Sequence, residues 1–294
     1  MTYRSQQTIK RPVEVSGVGF ITGADVRLKF LPAEADQGIT FVRTDSLEKL
    51  AIPALVEFTA PRERRTALEY RGTKIEMIEH VMAALAGLQI DNCRVELNAP
   101  EPPGCDGSSL AFVEGLLEAG IVNQRVPRKC IVIHYDVSAG APDGSVQLSA
   151  LRTVRPGLSI SYDLSYGPQS PIPAQCVSVD ITPESFVKEL AFCRTFLLKE
   201  EADQLRAQGH GCRTTARDLL IYGPDGIIDN ELRVADECAR HKILDCVGDL
   251  ALIGCDVSGH LDCFRSGHRL NAEIVRRLKR AHAEQFSQVR RSAA

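Results

Sequence analysis

Seven short stretches of this chain alternate apolar and polar residues, and that alternation limits the fold more than any other feature. In DVRLKF, residues 25–30, Val26, Leu28 and Phe30 fall on one side and Asp25, Arg27 and Lys29 on the other. A strand with one face on a core and one in water has this period of two. ITFVRTD (39–45), CRVELN (93–98), CIVIHYDV (130–137), SVQLSAL (145–151), LSISYDLSY (158–166) and CVSVDI (176–181) read the same way. Helical spacing predicts helices over 74–88, 109–119, 183–190, 200–207 and 236–253, with Thr182-Pro183 as a helix start and Gly209 as a stop. Strands in runs with helices after them predict an α+β layered architecture rather than a doubly wound sheet. The polar segment NQRVPRK, 123–129, is the candidate linker, which divides the chain into residues 1–125 and 126–294. No repeat between the halves and no low-complexity segment is visible.

At 294 residues the chain suits about two domains of ~100–200 residues each. A net charge of −3, with Lys and Arg dispersed until the last stretch, gives no electrostatic reason to expect nucleic acid. MTYRSQQTIKRPVEV has no apolar core of a secretory signal, and no stretch approaches the ~18 apolar residues of a membrane span. The ten cysteines include no C-x-x-C pair and sit mostly among apolar residues, so they read as buried thiols of a reduced, cytoplasmic protein. SGVGFITG, 16–23, has glycines at 17, 19 and 23, which do not fit the G-x-G-x-x-G of a nucleotide loop. A tight turn between two strands is expected there.

Chemistry gathers around three histidines. His80 follows Glu79 at the start of an apolar helix, and His241 precedes Asp245 and Asp249 at intervals of four in RHKILDCVGD. His268 lies in the turn-like RSGHRLN. On a helix, His241, Asp245 and Asp249 share one face, opposite Ile243, Val247 and Leu250. Each alone has an ordinary explanation, since lone helical histidines are usually structural and His-x-x-x-Asp pairs are common at surfaces. Together, His80, His241 and Asp245 make a three-ligand set that leaves a fourth tetrahedral position open, as catalytic zinc sites do. Glu79 is then available to take a proton from a zinc-activated water. Asp249 is available to orient a further imidazole, with His268 the candidate. Spacing leaves the solvated face and the metal site both open.

Longer blocks narrow the choice. QQTIKRPVEVSGVGFITG…GITFVRTD, IEHVMAALAGLQIDNCRVELN…EPPGCDGSS, RTF at 194–196, RHKILDCVGDLAL and SGHRLN occur in an order that resembles the zinc-dependent UDP-3-O-acyl-N-acetylglucosamine deacetylases of lipid A biosynthesis. The likeness runs nearly end to end. It implies two similar domains, each layering α-helices against a β-sheet, with the active site in the cleft between them. It implies zinc, or iron(II) with the same ligand types, on His80, His241 and Asp245. By the same resemblance Glu79 is the base, His268 the proton donor to the leaving amine and Asp249 its partner. It further implies that Thr195 stabilises the oxyanion and that Lys242 contacts the nucleotide-sugar portion of an acylated UDP-amino-sugar substrate. Residues 196–223 correspond to the insert that forms an acyl-chain passage, in an expected monomer.

Three departures bear on acyl length rather than on the reaction. The opening turn carries Phe20-Ile21-Thr22 with no histidine, Leu197-Leu198 follow RTF, and the insert reads Gly211-Cys212-Arg213-Thr214-Thr215. The basic, partly amphipathic EIVRRLKRAHAEQFSQVRR at the end is either a solvated helix or a peripheral contact with anionic lipid. Two rival functions remain at this level: a zinc deacetylase of another acylated or nucleotide-linked amino sugar, and a non-catalytic sugar-nucleotide-binding descendant of the fold.

Overall fold

A computed structural model describes residues 4–292, with side chains through residue 284. The first half holds β1 (Ser5–Ile9), β2 (Val13–Val18), β3 (Asp25–Pro32), β4 (Ile39–Arg43), β5 (Ala51–Pro53), β6 (Thr59–Ala60), β7 (Ala67–Tyr70), β8 (Thr73–Glu76), α1 (Glu79–Gly87), β9 (Cys93–Leu97), α2 (Leu110–Ala119) and β10 (Ile121–Pro127). The second holds β11 (Cys130–Val132), β12 (Val137–Gly140), β13 (Gln147–Leu151), β14 (Leu158–Leu164), β15 (Gln175–Ile181), α3 (Pro183–Ser185), β16 (Phe196–Leu198), α4 (Lys199–Ala207), β17 (Leu220–Gly223), β18 (Gly226–Ile227), α5 (Glu237–Leu250), β19 (Asp256–Phe264) and α6 (His268–Ser292).

The alternation in 25–30 is realised in β3, where Val26, Leu28 and Phe30 are buried and the residues between them exposed. The two main sheets share one topology. The first runs β2-β3-β9-β4-β5, antiparallel except for the parallel β4–β9 pair. The second runs β12-β13-β19-β14-β15, antiparallel except for the parallel β14–β19 pair, with β11 also parallel to β19. In each, the last strand of the chain enters the middle of the sheet. Helix α2 packs on β2, α5 on β14 and β15, α6 on β12 and β13, and α1 lies between α2 and α5. The helical layers of the two halves therefore face each other between the sheets, and their apolar residues form one continuous core. The α+β layering expected from the sequence is present.

Several boundaries differ from expectation, each for a local reason. The helix expected from residue 74 begins at Glu79, because 73–76 form β8 and pair with β7 through a two-residue turn at Arg71 and Gly72. Both turn residues have positive φ, 49° and 82°, the conformation that matches the twist of a hairpin. Residues 123–129, read as a linker, lie largely in β10, which pairs with β1. CIVIHYDV is two strands, β11 and β12, and the helix expected over 183–190 is one α-helical turn followed by a π-helical turn, Phe186–Leu190. β19 was not expected. Its inward positions are Val257, Gly259, Leu261 and Cys263, and the glycine weakens the alternation. SGVGFITG does join two strands, β2 and β3, closed by Gly19 N–H to the Ala24 carbonyl.

The expected insert is a small βαβ unit: β16 and β17 are parallel, connected across α4, and β18 completes the sheet. Ala202, Leu219 and Ile221 form its own apolar cluster, against which Phe20, Leu197, Ala216 and Ile228 pack. Arg213 reaches from this unit to the opening hairpin, bonding to Gly23 O at 2.9 Å and Asp25 Oδ1 at 2.8 Å.

Candidate active site

Helices α1 and α5 cross at close range where Gly248 faces the first turn of α1. A Cβ at 248 would stand 2.1 Å from the Glu79 carbonyl oxygen and 3.1 Å from Ala83 N, so no larger residue fits without moving a helix. This approach brings His80, from the first turn of α1, to His241 and Asp245 on α5. Their ring centroids are 5.0 Å apart and nearly perpendicular. His80 Nε2 is 3.6 Å and His241 Nε2 3.5 Å from Asp245 Oδ1, and the three ligand atoms lie within 4.8 Å of one another. Neither face of α5 is solvated: His241, Asp245 and Asp249 are buried, as are Ile243, Val247 and Leu250 opposite them.

The electrostatics suit a cation between these atoms. Burial lowers the His241 pKa to about 4, against the pull of Asp245, so the ring is neutral at pH 7. Its Nδ1 donates to the Cys193 carbonyl at 3.0 Å, which leaves the Nε2 lone pair facing Asp245. The 3.5 Å contact is therefore the spacing of two acceptors around a shared centre, not an ion pair. Burial pushes the Asp245 carboxyl up, but the Lys242 ammonium, with charged His268 beyond it, outweighs burial and holds it well below the usual range. Asp245 Oδ1 is buried with no hydrogen-bond partner, a costly arrangement that a metal ion relieves. A divalent metal fits this set.

Two more groups aim at the same place. Glu79 opens α1; burial raises its carboxyl above the ordinary value, partly offset by His268 and His80. Its Oε2 accepts the Thr66 N–H at 3.0 Å, and its Oε1 is 4.0 Å from His268 Nε2. His268 was read as part of a turn, but it is the first residue of α6. Burial and a helix N-terminus both disfavour an imidazolium. Asp249, 2.8 Å from Nδ1, together with Asp245 and Glu79 overcomes burial and raises His268 to about 9. Asp249 is itself fully enclosed, accepting from Thr66 Oγ1, His268 Nδ1 and Asn271 Nδ2.

The remaining expected residues are placed as follows. Lys242 puts its ammonium 2.7 Å from Asp245 Oδ2, and the net effect of burial and that carboxylate raises its pKa. Thr195 is fixed by its backbone, N–H to Gly107 O and C=O from Leu220 N, and Phe196 beside it meets the His241 ring edge-on at 6.3 Å. The sequence reading assigned no role to Thr66, Asn271, Gly248 or the Arg194–Glu237 pair. Arg194 makes a buried two-point contact with Glu237, which also accepts the Arg194 and Arg233 N–H groups. That clamp fixes the segment carrying the Cys193 carbonyl and Thr195 against the first turn of α5. Arg194 stood in the RTF block as a signal; nothing in the spacing around Thr66 or Asn271 marked them.

Comparison with known proteins gives a consistent result. A family model described as UDP-3-O-acyl N-acetylglycosamine deacetylase matches residues 6–280. The chain is 34% identical over 275 residues to the UDP-3-O-acyl-N-acetylglucosamine deacetylase of Myxococcus xanthus (strain DK1622), covering 93% of this chain and 86% of that one. It is 36% identical over 276 residues to the protein of that name in Solibacter usitatus (strain Ellin6076), covering 94% and 91%. A third, from Brucella melitensis biotype 2 (strain ATCC 23457), is 37% identical over 275 residues, covering 93% and 94%.

Proposed function

The chain belongs to the UDP-3-O-acyl N-acetylglycosamine deacetylase family, and from that membership we propose that it hydrolyses the N-acetyl group of UDP-3-O-acyl-N-acetylglucosamine. The products are acetate and UDP-3-O-acyl-glucosamine, within lipid A biosynthesis. The observation that carries this reading is the convergence of His80, His241 and the orphaned Asp245 Oδ1 beside Glu79 Oε1 and His268 Nε2.

A divalent ion on His80, His241 and Asp245, zinc or iron(II), supplies Lewis acidity toward water and the amide carbonyl when bound. Glu79 takes the proton of the attacking water through Oε1, since Oε2 is held by Thr66. His268 delivers a proton from Nε2 to the departing nitrogen, because an amide nitrogen leaves poorly unprotonated. Asp249 keeps that imidazole charged and aimed. The Thr195 hydroxyl shares the charge developing on the former carbonyl oxygen, and Lys242 reaches the nucleotide-sugar portion. In this reading residues 1–125 contribute Glu79 and His80, and residues 126–294 the rest.

The acyl chain lies along the unit formed by residues 196–223. Phe20 filling its apolar cluster and Arg213 bridging to the hairpin favour an acyl length particular to this chain. No helix among the described residues is long and apolar enough to cross a membrane. Cytoplasmic placement and a monomer accompany the proposal. On α6, Arg276 bonds to Thr59, Arg277 to the Ser138 carbonyl and Lys279 to Glu57, which supports packing rather than lipid contact for residues 276–279, while the side chains of 285–291 lie outside the described residues.

The test is acetate release from the UDP sugar by protein of measured metal content, across a series of 3-O-acyl lengths. Release that depends on metal and peaks at one length is expected. A metal-loaded protein that releases no acetate from any of them would falsify the reading.

A further inference from the structure

Thr66 makes contacts that neither the spacing of the sequence nor the metal triad requires. It precedes β7 and is 7% exposed. Its N–H donates to Glu79 Oε2 at 3.0 Å, and its hydroxyl donates to Asp249 Oδ1 at 2.5 Å. The same oxygen stands 3.2 Å from His268 Nδ1. One residue from the first half thus holds the inactive oxygen of one carboxylate and the outer oxygen of another, which lies on α5 in the second half. What remains free is Glu79 Oε1 and His268 Nε2, facing each other 4.0 Å apart at the ligand set.

We propose that Thr66 is the positioning residue of the acid–base pair, locking the Glu79 and His268 working atoms onto one point across the junction of the two halves. This rests on the roles assigned above to Glu79 and His268. The backbone contact is open to any residue but proline. The hydroxyl contact is not: valine has the same shape but leaves Asp249 Oδ1 without that donor. Asp249 is then held through Oδ2 alone, by His268 and Asn271, so the plane of its carboxylate and the imidazole it aims are fixed less tightly. The contacts of Thr66 run to Glu79, Asp249 and His268 and to none of His80, His241 and Asp245, so the proposal expects KM and metal content to stay unchanged.

The experiment compares full-length Thr66→Val and Thr66→Ser with wild type for kcat, KM and bound metal, and adds Thr66→Val to His268→Gln. Thr66→Val lowers kcat about 10–100-fold, the usual cost of removing an orienting partner, with KM and metal unchanged. Thr66→Ser restores kcat to within about threefold, because the donor is restored. In the His268→Gln background Thr66→Val costs nothing further, because both act through one group. Three results overturn the proposal while the enzyme reading stands: full kcat in Thr66→Val, an equal loss in Thr66→Ser, or additive losses in the double variant. Metal loss in Thr66→Val also overturns it, by making the residue structural. Failure of the enzyme reading shows separately, as a wild-type protein that releases no acetate.

Discussion

Asp249 is enclosed completely, yet it is a carboxylate with three donors, and a charge in that position persists only because each oxygen is satisfied. Its purpose is visible in His268, which is held charged in a place that would otherwise neutralise it. Replacing His268 by alanine is expected to cut turnover about 10²–10⁴-fold, the range for losing a general acid. Bound metal stays near stoichiometric; metal loss by elemental analysis would instead make His268 a ligand. The sign of the pH response follows from the two opposite protonation states. Activity falls as pH rises through the elevated His268 value, when the acid is lost. It falls again as pH drops through the raised Glu79 value, when the base is filled, so kcat/KM is bell-shaped. Glu237→Gln tests the clamp beside the site. It leaves Arg194 buried beside a neutral amide, so urea denaturation should show a loss of about 3–5 kcal/mol.

At the scale of elements, the site depends on how closely α1 and α5 approach. Gly248→Ala places a methyl group against the Glu79 carbonyl, where backbone rather than a flexible side chain must yield. The expected cost is about 1–3 kcal/mol of stability, as for other overpacked interiors. Metal retention on dialysis should weaken as well, since the same shift parts His80 from α5. The sequence did locate both helices, because three residues at intervals of four on an otherwise apolar segment are a local pattern. It placed the start of α1 too early. Residues 74–76 suit a helix by pattern, but a positive-φ turn at Arg71 and Gly72 commits them to β8. That hairpin is what delivers Thr66 to the site.

For the whole molecule, the two sheets repeat one strand order although the halves show no sequence repeat. Strand order is set by alternation and connection, which very different residues satisfy. The halves are also joined by charge: Arg4 and Arg128 each bond to Asp91 and to Asp256. At the outer edge, the Arg213–Asp25 pair is largely exposed and is worth about 0–1 kcal/mol. Arg213→Ala should therefore leave the Tm unchanged while altering the acyl-length profile of acetate release. With its inner cations engaged, α6 should sediment the protein no more with anionic than with neutral liposomes.

The sequence alone determined the strand segments, the helix carrying His241, Asp245 and Asp249, and, through its ordered blocks, the family. These are properties of neighbouring residues, written in periods of two and of about 3.6. Only the tertiary structure decided that β19 fills the middle of the second sheet and that both faces of α5 are buried. It also decided that Lys242 rests on Asp245, and that Thr66, Glu79, Asp249 and His268 meet. Those four come from positions spread over two hundred residues of chain. Their meeting depends on two helical layers closing over a glycine, which no local pattern encodes.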